Sequence, residues 1–108
     1  MLIAPTSPFF FSDRVRLAEF ALRHRILSMF VFREWVDAGG LLSYGPSITA
    51  LFARVAEFVD RIAHGALPAD LPIEQPTKFE MVVNLKTAKA IGIELPTAIL
   101  LRADEVIE

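Results

Sequence analysis

Few side chains in this chain could do chemistry, and their spacing says more than their number. His24 and His64 each stand at the end of a helical pattern among charged neighbours, where an imidazole caps the helix and meets its negative pole. No H-x-x-x-H, no carboxylate pair at metal-ligand spacing and no glycine-rich phosphate loop occurs. Ser43 lies in S-Y-G rather than in G-x-S-x-G, and no histidine is placed by sequence to activate it. Tyr44, the single tyrosine, has no lysine four residues on, so a tyrosine–lysine redox pair is unsupported. With no cysteine, thiol catalysis, disulfides and zinc–thiolate sites are excluded. The chain reads as a non-enzyme that uses no metal and no cofactor.

Three groups of residues could serve binding instead. Phe9, Phe10 and Phe11 form an aromatic cluster that packs into a core or interface, or else walls a ligand. Arg33 and Glu34 follow a strand pattern directly, and open α/β sheets bind their ligands at the ends of parallel strands. A solvated ion pair at a helix start is the competing reading. Ser43 and Tyr44 belong to the stretch GGLLSYG, residues 39–45, where glycines allow a sharp reversal around a short apolar run. That pair fits strand-end packing and a cleft wall equally.

The elements that would hold these residues follow from periodicity. Leu2 to Ala4 reads as a short buried strand closed by "PTSP". Ser12 caps a helix running to about Arg25, with Val15, Ala18 and Leu22 on one face. "ILSMFVF", residues 26–32, is a second strand, and strand–helix–strand with tight links implies a parallel pair. A helix of about a turn and a half follows, from Arg33 to Ala38. Residues 47–64 give the strongest signal: Ile48, Leu51, Phe52, Val55, Phe58, Val59 and Ile62 form one apolar stripe between a Ser47 cap and a Gly65 stop. Glu57 and Arg61, four apart, are placed to pair. Residues 66–78 form a proline-punctuated loop, and residues 79–85 a further strand. Asn84 caps a short helix stopped by Gly92, and Pro96 opens a last amphipathic helix through Ile99, Leu100, Ala103 and Val106. The expected fold is α/β, a short parallel sheet from residues 2–4, 26–32 and 79–84 flanked by about four helices.

At 108 residues the chain is one domain, yet 54% of it is hydrophobic and its mean hydropathy is +0.46. Such a composition points to tight packing, to oligomerisation, or to interfaces with further polypeptide. A net charge of −2 without a basic stripe argues against nucleic acid as a partner. The apolar start "MLIAPTSPFFF" has no positive flank, is broken by Pro5 and Pro8, and is too short to span a bilayer.

The motifs F-R-E, A-G-G-L-x-S-Y-G, G-A-x-P-A-D-L-P-x-E-Q-P-T-K-F-E and N-L-K-T-A-K-A-x-G closely resemble the C-terminal part of one family. This is the ABC transporter substrate-binding proteins of the tryptophan/tyrosine transport type, and the resemblance covers nearly the whole chain. It implies a partial periplasmic-binding-protein-like (Rossmann-like) fold, a small solute such as an aromatic amino acid held between two lobes, and delivery to an ABC permease. On that reading S-Y-G is where the chain recrosses the hinge. Phe9, Arg33, Glu34, Ser43 and Tyr44 would line the cleft: Arg33 would hold a carboxylate, Glu34 an ammonium, and Phe9 or Tyr44 would stack. Leu27 stands where the family has proline. The family is extracytoplasmic. The chain corresponds to its last third, a truncated product or a fragment, which with no leader stays cytoplasmic if translated as written. A homo-oligomer is expected, because sheet edges and apolar faces lack their usual covering. The alternative function is a remnant that binds no solute and acts as an oligomerising interaction module.

Overall fold

The computed structural model describes residues 1–108. Five strands form one sheet in sequence order: β1 (Leu2–Ile3), β2 (Ser28–Phe30), β3 (Leu42–Pro46), β4 (Phe79–Asn84) and β5 (Glu105–Ile107). The first three run parallel, β4 runs antiparallel to β3, and β5 runs parallel to β4. The α/β class and the parallel β1–β2 pair are as expected. The purely parallel three-strand sheet is not. The short run around Ser43 is a central strand, and its five-residue antiparallel pairing with β4 joins the two parallel halves.

Six α-helices accompany the sheet: α1 (Pro8–Ser12), α2 (Arg14–Arg23), α3 (Arg33–Asp37), α4 (Ile48–Ala63), α5 (Leu85–Ile91) and α6 (Thr97–Arg102). Ser12 does not cap the second of these. It closes α1, its hydroxyl donating back to the Pro8 carbonyl at 2.9 Å, and Asp13 stands at the start of α2. Pro8 suits the first turn of α1, where a missing N–H costs nothing. Two other caps fall where the sequence puts them. Ser47 Oγ accepts from the Ala50 amide at 3.3 Å and Asn84 Oδ1 from the Thr87 amide at 3.0 Å. His24 and His64 are the C-cap residues of α2 and α4.

The last element departs from the helical pattern. Helix α6 ends at Arg102, and Val106 belongs to β5. The reason is non-local. Asp104 donates its amide to the Met81 carbonyl and accepts the Met81 amide on its carboxylate, both at 2.8 Å, which pulls the chain onto the free edge of β4. Glu57 also finds a different partner, Arg54 three residues before it rather than Arg61.

Direct pairing puts Phe30, Ser43, Val82 and Glu105 in one row on one face of the sheet, and Met29, Leu42, Val83 and Val106 in a row on the other. Helix α3 covers the first face. Trp35 stacks on Phe30 with centroids 4.4 Å apart, Val36 is fully buried, and Asn84 Nδ2 reaches the Val36 carbonyl at 3.4 Å. A second cluster of Leu41, Ala88 and Ile91 joins α5 to the sheet, with Leu22 of α2 against it. The opposite face is less covered, leaving Ile3, Tyr44 and Phe79 exposed on it.

Helix α4 stands apart. None of its residues is buried, so the strongest apolar stripe in the sequence is not part of this core. The overall dimensions agree: the radius of gyration is 17.0 Å, against about 13 Å for a compact domain of this length.

Candidate functional site

The glycines around S-Y-G have separate tasks. Gly39 turns the chain after α3 with φ at +108°, a conformation that side chains resist. Gly45 has an ordinary φ, but any side chain there would collide with the Val31 carbonyl. β3 can therefore lie against the end of β2 only because position 45 has no Cβ. The sequence thus closes β2, β3 and the α3 start into one tight corner.

What that corner presents is a hollow at the C-terminal ends of β1 and β2. Thr6, Ser7, Pro8, Phe11, Phe32 and Ile48 line an open depression of about 290 Å³. A much smaller space, about 10 Å³, lies beneath it against Ala4, Val31 and Trp35. Phe11 meets Phe32 edge to face at 6.2 Å, and the Arg14 guanidinium lies over the Phe11 ring at 4.7 Å. Ser7 sits at the N-cap of α1 with an extended backbone, and its hydroxyl makes no cap hydrogen bond. The wall of the hollow is apolar throughout: Thr6 and Ser7 contribute carbon atoms beside the rings of Phe11 and Phe32, which suits the apolar part of a small solute.

Of the residues singled out in the sequence, Arg33 and Glu34 begin the first turn of α3 directly after Phe32, and neither lines the hollow. Arg33 is already engaged. Its Nη2 lies 2.8 Å from Glu105 Oε1, Nη1 bonds Glu105 Oε2, and Nε reaches Asp37 at 3.4 Å. Those bonds, foremost the one to Glu105, raise the Arg33 pKa above the ordinary arginine value. Ser43 and Tyr44 cannot share a cavity, since neighbours on a strand point to opposite faces. Ser43 is 1% exposed in the Phe30–Val82 row, and its Oγ has no hydrogen-bond partner. Tyr44 is 48% exposed on the other face, stacked on Phe79 at 5.8 Å. Phe9 is 85% exposed on α1, and it is Phe11 that turns into the hollow. Thr6 and Ser7, not singled out in the sequence, also line the hollow. Their signal was position: "PTSP" directly follows a strand of a parallel pair.

A larger groove of about 530 Å³ runs between α4 and Glu74–Lys78. Arg54 and Glu74 satisfy one another there. Arg54 Nε bonds Glu74 at 2.7 Å, and its two other nitrogens bond Glu74 and Glu57. Arg54 lowers the Glu74 pKa below the ordinary carboxylate range. No group of three or more His, Cys, Asp or Glu side chains could hold a metal ion, and no helix is long and apolar enough to cross a membrane.

The class of protein follows from comparison of the chain with known families. Residues 21–107 match the family model described as ABC transporter substrate binding protein, and the chain belongs to that family. A comparison with curated proteins gave no match. Among solved structures, a conserved domain protein from Vibrio cholerae superposes with a TM-score of 0.90 at 22% identity, over 96% of this chain and 35% of that one. The ABC domain from Streptococcus pneumoniae in complex with L-Trp gives 0.87 at 24% identity, over 97% and 36%. A ligand-free, open substrate-binding protein with adhesive properties from Clostridium difficile gives 0.63 at 23%, over 98% and 35%. The chain thus spans about a third of the length of these proteins, and the periplasmic-binding-protein-like fold is common to them.

Proposed function

We propose that this chain supplies one wall of the solute site of an ABC-type import system, working outside the cytoplasmic membrane with an ABC permease. The carrying observation is the hollow at the C-terminal ends of β1 and β2, where parallel α/β sheets take their ligands. Phe11 and Phe32, with Pro8 and Ile48, supply an apolar wall, and Glu34, two residues after Phe32, is assigned the carboxylate for an ammonium group. Arg33, tied to Glu105 and Asp37, holds the start of α3 in place and offers its remaining field to a carboxylate. An amino acid with an apolar side chain complements this wall, and the L-Trp complex of a structural relative makes tryptophan the first probe. β3 and β4, antiparallel and continuous with α4, are the strands by which the chain crosses between lobes.

The chain acts here as a single domain resembling the C-terminal third of a two-lobed receptor, and the chemistry is binding without turnover. One wall makes a fraction of the contacts of a closed cleft, so affinity is expected in the millimolar range, about −4 kcal/mol. Calorimetry of this chain with a panel of amino acids tests the proposal, with sugars and inorganic anions as controls. Heat that saturates with amino acids alone supports it. Silence with this chain, when a full-length relative binds in the same buffer, favours the second reading, an interaction module that acts through its open apolar faces.

A further inference from the structure

Helix α1 has little of its own to hold it. Its five residues are too few to stay helical unaided, and none of them is buried. Ser7 gives it no side-chain cap, and Phe9 and Phe10 are exposed. Yet α1 must keep the Phe11 ring in the wall of the hollow. Something outside the helix has to fix that ring.

Arg14 does so twice over. Its Nη1 donates to the Phe11 carbonyl at 3.0 Å, and the same guanidinium lies over the Phe11 ring, 4.7 Å from the centroid. One side chain thus grips both the backbone and the ring, which a planar fork of donors can do. Asp13, its neighbour in the chain, pairs with Arg16 instead, at 3.7 Å. Arg14 opens α2, and α2 is firmly seated: Ala18 and Ala21 are buried, and Leu17 packs against the cluster of Ala4, Phe30 and Trp35. The grip therefore passes the rigidity of α2 to α1. From Phe11 it extends to Phe32, since the two rings meet edge to face at 6.2 Å and both pack against the same cluster.

We infer that Arg14 is a positioning residue of the solute site. It lines no part of the hollow and acts through Phe11, whose ring it orders before a solute arrives. The role rests on reading the hollow as a solute site. A wall that is already ordered need not be ordered by the solute, and that difference appears as affinity. The gain cannot exceed what the guanidinium and its partner groups contribute to each other. Arg14→Ala therefore weakens tryptophan binding roughly three- to tenfold and does not abolish it.

Proton contacts between the Phe11 and Phe32 rings, read by nuclear Overhauser spectroscopy without solute, report the order of the wall. Arg14→Ala loses them while the helical circular dichroism is retained. Arg14→Lys, which keeps a cation for the ring, restores them. Arg16→Ala, whose side chain is 84% exposed in the parent, leaves them intact. Titration with tryptophan then shows the weakening in Arg14→Ala and its recovery in Arg14→Lys to within about twofold of the parent chain. Ring contacts that survive Arg14→Ala, that vanish equally in Arg16→Ala or that Arg14→Lys fails to restore overturn the inference. So does tryptophan binding that is unchanged once the contacts are lost. Silence of the parent chain towards tryptophan overturns the solute reading instead, and the ring contacts still decide whether Arg14 orders Phe11.

Discussion

Arg33 and Glu105 stand 72 positions apart and close a two-point ion pair, Nη2 to Oε1 at 2.8 Å and Nη1 to Oε2, that ties the first turn of α3 to the last strand. Both side chains are about 40% exposed, so the pair is a positioning device more than a source of stability. Glu105→Ala is expected to cost about 0.5–1 kcal/mol, less at high salt. Urea unfolding measures it. A loss above about 3 kcal/mol would mean that the pair is desolvated in solution.

Ser43 offers a change of opposite sign. Its hydroxyl is buried without a partner, which is unfavourable by roughly 1–3 kcal/mol relative to a satisfied group. Ser43→Ala removes the hydroxyl at little loss of packing, and stability should rise by about 1 kcal/mol. Destabilisation of similar size would show that the hydroxyl has a partner in solution.

Gly45 tests the corner itself. A methyl group there meets the Val31 carbonyl, a backbone atom that cannot move aside without shifting β2. Gly45→Ala should destabilise by about 1–3 kcal/mol and disturb the amides of residues 30–33 in a nuclear magnetic resonance spectrum. Unchanged spectra would refute the close approach.

Acid should release the segment from Glu74 to Lys78. Arg54 holds the Glu74 carboxyl below its ordinary value of 4.5, with Arg61 adding to the field. A depressed folded-state pKa gives stability that is present above the unfolded value and is lost as pH falls through the folded one. The Arg54–Glu74 link should therefore persist down to about pH 4.5 and weaken below it. Side-chain resonances of Arg54 followed on acidification would show this, and a midpoint above the ordinary carboxylate value would contradict it.

Much of the architecture was legible because it is local. The Ser47 cap, the Asn84 cap and the Gly92 stop each depend on residues a few positions apart, and the parallel β1–β2 pair on a single strand–helix–strand unit. What was not legible is long-range. Residues 96–106 carry a helical apolar spacing, and only the bonds between Asp104 and Met81 turn their end into β5. The stripe of α4 was legible as an apolar face, but periodicity does not report what covers it. The site was partly legible for the same reason. Arg33 and Glu34 were placed at a strand end correctly, but residue type alone drew attention to Ser43, Tyr44 and Phe9. Strand alternation separates the first two, and helix phase turns Phe9 outward while Phe11 faces in. Thr6 and Ser7 carry no motif, and only the topology shows that their loop borders a hollow.

The central claim, a solute wall at the ends of β1 and β2, is tested most directly by mapping amide shifts while titrating this chain with a panel of amino acids. The account predicts saturable shifts concentrated at Thr6, Ser7, Phe11, Phe32, Glu34 and Ile48, with the rest of α4 and α6 unmoved. Shifts confined to α4 or the 74–78 segment, or no shifts at millimolar solute when a full-length relative saturates, would contradict it.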